Sequence, residues 1–84
     1  MATKRVEVMN EWKLLNKGGE IDSDIFILKI SQGTLLIGVT SDGSTPPNEE
    51  DCYREDNGIA YGGSEYVWAK SVSSQNAYGI IDKL

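Results

Sequence analysis

The one side chain in this sequence with strong nucleophilic character is the thiol of Cys52, the sole cysteine among 84 residues. A nucleophilic cysteine or serine needs a neighbouring base, most often histidine, to accept its proton. The chain contains no histidine, and Arg54 is the one nearby residue that could favour a thiolate. We therefore interpret Cys52 as an incidental loop thiol and predict that the protein is not an enzyme.

Carboxylates are abundant, with 13 Asp and Glu residues, but their spacing selects no site. A glycosidase needs two carboxyl groups that face each other across a sugar-binding cleft, and a domain of this size rarely forms one. A calcium loop needs oxygen ligands at fixed intervals, whereas Asp22 and Asp24 are followed by Phe26 at the next ligand position. Solvated loops and turns explain the carboxylates better, and we expect neither a metal nor a cofactor.

The charge balance argues against a nucleic-acid or membrane partner. The net charge is −5 and the isoelectric point is about 4.5, whereas phosphate binding depends on clustered Lys and Arg. The longest apolar run, residues 35–39, is far shorter than the roughly 20 residues that span a bilayer. The N-terminal residues lack the apolar stretch of a signal peptide. We expect synthesis in the cytoplasm and a soluble product.

Apolar and polar residues alternate with the period of β-strands, and helical periodicity is weak throughout the chain. Residues 5–8 and 66–70 show the alternation most clearly, and nine glycines divide the sequence into short runs. The pattern predicts a single all-β domain over residues 1–84. We expect a small antiparallel β-sandwich or barrel of about six or seven short strands.

The two most apolar runs are residues 25–30 and 34–40, and they are separated by Ser31, Gln32 and Gly33. A connection this short between two apolar runs predicts a β-hairpin. Both runs are apolar at nearly every position. We therefore expect both of their faces to be covered, one by the core and the other by a second sheet or a neighbouring subunit.

Residues 41–58 are predicted to form one long acidic loop. The segment is rich in turn-forming residues, and Pro46 and Pro47 favour extended backbone. Asn48 is a suitable N-cap for a short helical turn over residues 49–51. Loops longer than about 12–15 residues in compact domains are usually functional or mobile.

The candidate protein interface consists of Trp12, Tyr66, Trp68 and Lys70. Strand alternation puts the last three on one face, with Val67 and Ala69 on the opposite face. The two small apolar residues suit a tight core, and the aromatic face suits a surface that a partner covers. Trp and Tyr in a small β-domain also commonly pack in or around the core, and the sequence leaves both alternatives open.

A chain of 84 residues buries too little surface to be strongly stable by itself. One cysteine cannot form an intramolecular disulfide, and a structural zinc site is not expected without histidine. Oligomerisation is the remaining standard way to stabilise so small a domain. We therefore expect a homo-oligomer.

Residues 6–15 (VEVMNEWKLL), together with residues 66–71 (YVWAKS) and 77–82 (AYGIID), resemble small virion proteins of tailed bacteriophages. Those proteins are short β-rich subunits that decorate or cement the capsid, or that attach fibres to the particle. The resemblance implies a location in the virion, synthesis in the host cytoplasm and a trimeric state. It also implies the major capsid protein or a fibre protein as partner, and it carries over no catalytic residue.

The sequence thus favours a structural virion protein that binds and stabilises the capsid surface, or anchors a fibre, through protein–protein contacts. Two alternatives stay open. Exposed aromatic residues could stack on sugars in a carbohydrate-binding module. Alternatively, the acidic residues could imitate nucleic acid and inhibit a protein that binds it, which would require them to lie on one face.

Overall fold

Strands dominate the computed structural model, which describes residues 2–83. Within that range the strands are β1 (Ala2–Val8), β2 (Lys13–Leu14), β3 (Ile25–Gln32), β4 (Leu35–Thr40), β5 (Tyr53–Glu55), β6 (Gly58–Gly62), β7 (Tyr66–Ser71) and β8 (Ala77–Lys83). A 3₁₀ turn spans Glu49–Asp51 directly after Asn48. No helix in the described range is long and apolar enough to cross a membrane.

The strands form two antiparallel four-stranded sheets. Sheet A has the order β1-β8-β3-β6 and sheet B the order β2-β7-β4-β5, so strands that are consecutive in the chain occupy the same position in the two sheets. This is the strand order of an eight-stranded jelly roll, a double-sheet sandwich. The predicted all-β antiparallel sandwich is confirmed, with eight strands rather than six or seven.

The predicted hairpin between the two most apolar runs is wrong. β3 pairs with β6 and β8, and β4 pairs with β5 and β7, so the short connection carries the chain from sheet A to sheet B. A bulge between Ile30 and Gln32 precedes this crossing. Gly33 makes the turn with a φ of +92°, and a Cβ there would lie 2.8 Å from the Cβ of Ala77. Glycine is therefore required for both conformation and space.

The core lies between the two sheets and is built from alternate residues of the strands. The buried cluster comprises Val6, Val8, Leu15, Ile21, Phe26, Leu28, Leu35, Ile37, Val67, Ala69, Ala77 and Ile81. Full burial of one such aliphatic side chain contributes about 1.5–3 kcal/mol. The predicted alternation of β7 is confirmed, because Val67 and Ala69 belong to the cluster while Trp68 between them does not.

The segment between β2 and β3 packs against β7 through a buried asparagine. Asn16 is fully buried; its side-chain amide donates to the carbonyl of Glu65 at 3.1 Å, and its side-chain oxygen accepts from the amide of Val67 at 2.9 Å. Lys17 and Gly18 follow with φ angles of 50° and 98°, which reverse the chain. The Asn16 side chain therefore holds this connection in place, because its two hydrogen bonds satisfy the backbone carbonyl of Glu65 and the backbone amide of Val67.

Replacing Asn16 with alanine should destabilise the fold by about 2 kcal/mol, because the amide of Val67 loses its partner in a buried position. Asn48→Ala is the matched control, since its side chain is exposed and caps no helix. The control should change the free energy of unfolding by less than about 0.5 kcal/mol. Urea unfolding followed by circular dichroism measures both values. An equal loss of unfolding free energy in the two variants would contradict the role assigned to Asn16.

Candidate functional site

The four residues of the candidate protein interface lie together on the outer face of sheet B, here called the aromatic face. Three of them alternate along β7, where Tyr66 is opposite Thr40, Trp68 opposite Gly38 and Lys70 opposite Leu36 of β4. The ammonium group of Lys70 lies 5.3 Å from the centroid of the Trp12 ring, within the range of a cation–π contact. Tyr66, Trp68 and Lys70 thus share one face of β7, as the alternation predicted, and Trp12 lies against Lys70.

Trp68 is nevertheless closed off from solvent on this face. Its side chain is only 7% exposed, although it lies outside the cluster between the sheets. The indole nitrogen donates to the hydroxyl of Thr40 at 2.8 Å, and that hydroxyl donates to the carbonyl of Asp42 at 2.6 Å. Trp68 therefore belongs to a second, smaller buried layer on the outside of sheet B.

Residues 41–52, here called the covering loop, pack over Gly38, the residue of β4 that lies opposite Trp68. A Cβ on Gly38 would collide with the sulfur of Cys52 and lie 2.8 Å from Cγ of Pro47, so the loop rests directly on β4 where no side chain intervenes. The ammonium group of Lys70 adds an ion pair with Glu49 at 3.0 Å. Two thirds of the predicted acidic loop, residues 41–52, are thus a fixed cover for the sheet, whereas Tyr53–Glu55 of the same segment form β5.

Hydrogen bonds within residues 42–45 fix the first turn of the covering loop. The carboxylate of Asp42 accepts from the backbone amides of Ser44 and Thr45, at 2.9 and 2.8 Å, and from the hydroxyl of Ser44. Donation from Ser44, and then from Thr45, lowers the pKa of Asp42 below its ordinary value. The predicted helical turn is confirmed over residues 49–51, but the side chain of Asn48 does not cap it.

Cys52 is half-buried at the end of this loop. Its thiol donates to the carbonyl of Asn48 at 3.2 Å. Burial is the main factor that raises its pKa, and the negative charges of Asp51 and Glu49 raise it further. The thiol therefore stays protonated at neutral pH, which is the less reactive form.

Carboxylates in the described part of the chain do not converge on a metal site. Within residues 2–83 there is no group of three His, Cys, Asp or Glu side chains placed to hold a metal ion. Of the two aspartates considered for calcium, Asp24 pairs with the ammonium group of Lys17 at 2.7 Å, and Asp22 is exposed.

The outer face of sheet A presents an apolar surface that the sequence interpretation did not single out. Ile80 of β8 lies in register between Arg5 of β1 and Lys29 of β3, so one cation flanks it on each side. Ile80 is 43% exposed, and Tyr78, two residues away on the same face, is similarly exposed. These four residues are here called the basic patch.

Two carboxylates share this face, but hydrogen bonds occupy them. Asn76 and Tyr78 donate to Glu7, and Thr3 donates to Asp82. Arg5 and Lys29 form no ion pair with any residue of the 2–83 range.

The outer face of β3 also stays exposed at Ile25, so residues 25–30 are not covered on both faces by the described part of the chain.

A second apolar surface opens at the edge of the sandwich, between β4, β5 and β6. β5 is only three residues long and pairs with Leu35, Leu36 and Ile37, so Val39 projects beyond it. The resulting cleft of about 180 Å³ is lined mainly by Ile37, Val39, Tyr53, Ile59, Tyr61 and Val67, with Asp51 at its wall. Tyr53 and Val39 are about half exposed there. We call this feature the acidic cleft.

Sequence reasoning missed both surfaces for different reasons. The alternation of Tyr78, Ile80 and Asp82 is visible in the sequence, but the two cations that flank Ile80 belong to strands far away along the chain. The acidic cleft depends on the length of β5 and on the pairing of β3 with β6, neither of which has a local signal.

Comparisons with known proteins found no relative of this chain. No family model matches it, and no curated protein or solved structure is significantly similar to it. The candidate surfaces are therefore defined by the geometry and chemistry of the described residues.

Gly38→Ala should displace the covering loop, because the added Cβ collides with Cys52 and Pro47. We expect a loss of about 1–3 kcal/mol in stability, as for other overpacked sites. In a Trp12→Phe background, the fluorescence of Trp68 should shift to the red and become more accessible to acrylamide.

Gly62→Ala is the matched control for this substitution, since the nearest atom to a Cβ there is Cγ1 of Ile25 at 3.6 Å, an ordinary contact. It should leave both stability and quenching nearly unchanged. Unchanged quenching of Trp68 in the Gly38→Ala variant would contradict the loop's role as a cover.

Alkylation of Cys52 by iodoacetamide at pH 8 should be several-fold slower in the folded protein than in urea, since its raised pKa lowers the thiolate fraction. Mass spectrometry measures the rate, and Cys52→Ser gives the background. Because the folded pKa lies above the ordinary value of 9.0, this group's contribution to stability is complete below that pH and is lost as pH rises further. Faster labelling in the folded state would contradict this assignment.

Proposed function

We propose that this protein is a structural subunit that works by binding other protein subunits, and that it decorates or cements a virus capsid or anchors a fibre. The observation that carries the proposal is the pair of exposed apolar surfaces on different sides of one rigid sandwich, the basic patch and the acidic cleft. Apolar side chains grouped with unpaired charges are typical of surfaces that bind proteins.

The jelly-roll strand order supports the viral setting only in combination with the sequence resemblance. Capsid domains and lectin domains both use this fold, and a fold by itself does not determine function. The resemblance of residues 6–15, 66–71 and 77–82 to virion proteins of tailed bacteriophages favours the first class. The major capsid protein or a fibre protein is then the expected partner.

The two alternatives receive less support from the side chains. A sugar-stacking surface needs accessible aromatic rings, but Trp68 is buried and the ring of Trp12 lies against Lys70. The exposed tyrosines, Tyr53 and Tyr78, lie on different surfaces. A nucleic-acid mimic needs its acidic groups on one face, whereas carboxylates occur on sheet A and on the covering loop.

Co-sedimentation with virus particles tests this function. A tagged copy of the chain, expressed during the infection that produces the particles, should band with them in a density gradient. Ile80→Glu should reduce the amount on particles while leaving the melting temperature nearly unchanged, because Ile80 is exposed. Trp68→Ala should instead unfold the protein, at a cost of about 3 kcal/mol. Recovery of the folded wild-type chain only at the top of the gradient would contradict the proposal.

A further inference from the structure

We propose that copies of this chain associate head to tail, with the basic patch of one copy bound in the acidic cleft of the next. The proposal deepens the proposed function, and it rests on that function for its setting in an assembly. It names a second copy of the chain as one of the subunits that the protein binds.

The basic patch has the form of an apolar projection between two cations. Arg5, Ile80 and Lys29 stand in one register row across three adjacent strands of sheet A. Neighbouring strands are about 4.8 Å apart, so the two cations begin roughly 10 Å from each other on either side of Ile80. Neither cation has an ion-pair partner among residues 2–83. The row can therefore present one aliphatic side chain and two free positive charges to a neighbour.

The acidic cleft has the complementary form. Its volume of about 180 Å³ exceeds the roughly 150 Å³ of an apolar cavity that accommodates benzene, so a branched aliphatic side chain fits within it. Asp51 lies at its wall without an ion-pair partner in the described chain. Residues 49–56 also contain Glu50, Glu55 and Asp56, with Arg54 as the one cation of the segment. An incoming cation thus meets an excess of negative charge.

Insertion of Ile80 into this cleft would bury it against Val39 and Tyr53, which are otherwise about half exposed. The same movement brings Arg5 or Lys29 towards Asp51. Opposite charges across an interface favour the correct register and speed association. The patch therefore supplies an aliphatic side chain and positive charge, and the cleft supplies an apolar recess and negative charge.

Shape and charge together favour one type of symmetry. A two-fold contact between two basic patches would place Ile80 against Ile80 with no recess to receive either side chain, and one between two clefts would bring the two Asp51 carboxylates together. A contact between unlike surfaces avoids both, and such heterologous contacts form closed rings or open chains. The patch and the cleft share no residue, so one copy can use both at once.

Sedimentation velocity on the full chain tests the association. The wild-type protein should form species larger than a monomer at high micromolar concentration and low salt, and these should dissociate as salt screens the charges. Ile80→Glu blocks the patch and Asp51→Lys reverses the charge of the cleft, and each variant alone should be monomeric. Ile25→Glu is the matched control, since it is the same substitution at a similarly exposed position outside the patch, and it should assemble like the wild type.

Mixing the two blocked variants gives the decisive result. The mixture retains one intact patch and one intact cleft, so it should form heterodimers and nothing larger. If Ile80→Glu fails to fold, Arg5→Glu replaces it as the variant with a blocked patch. If Asp51→Lys fails to fold, Val39→Glu replaces it as the variant with a blocked cleft. A monomeric wild type up to about 1 mM, or a mixture that stays monomeric, overturns the proposal.

The outcome is independent of the particle experiment. A chain that is monomeric in solution but bands with particles would overturn head-to-tail association and leave the proposed function intact. A chain that assembles with itself but never bands with particles would overturn the proposed function and leave head-to-tail association intact.

Discussion

The packing of the covering loop on the outer face of sheet B is the interaction on which the rest of the structure depends. Gly38 leaves space for Pro47 and Cys52, and Lys70 holds Glu49. Trp68 lies opposite Gly38, beside this contact, and is only 7% exposed, so the sandwich has a second buried layer in addition to the core between its sheets. A domain of 84 residues has few other means of increasing its buried apolar area.

The same contact decides which surfaces remain for partners. Trp68 is buried and Trp12 lies against Lys70, so the aromatic residues of this face already contact other parts of the same chain. The apolar residues left exposed in groups lie on sheet A around Ile80 and at the edge of the sandwich around Tyr53. We therefore propose these two surfaces as the sites that bind other subunits, because their opposite charges make them complementary to each other.

Local patterns in the sequence correctly predicted the features that depend only on residues close together in the chain. The alternation in β7 placed Val67 and Ala69 in the core, and the acidic residues after Asn48 form the expected turn. The connection at Gly33 has the composition of a hairpin, yet the choice of β6, β8, β5 and β7 as partners depends on residues far along the chain. The burial of Trp68 agrees with one of the two alternatives that the sequence left open, and no local pattern could decide between them, since the loop that packs beside it lies more than fifteen residues away in sequence.

A concentration series of ¹H–¹⁵N NMR spectra tests most directly whether contacts form through the patch and the cleft rather than through the aromatic face. We predict that the amide signals of Arg5, Ile80, Val39 and Tyr53 shift together as concentration rises, while the indole signal of Trp68 and the amide of Lys70 stay in place. Concentration-dependent shifts at Trp68 and Lys70, with the patch and the cleft unchanged, would contradict the central claim.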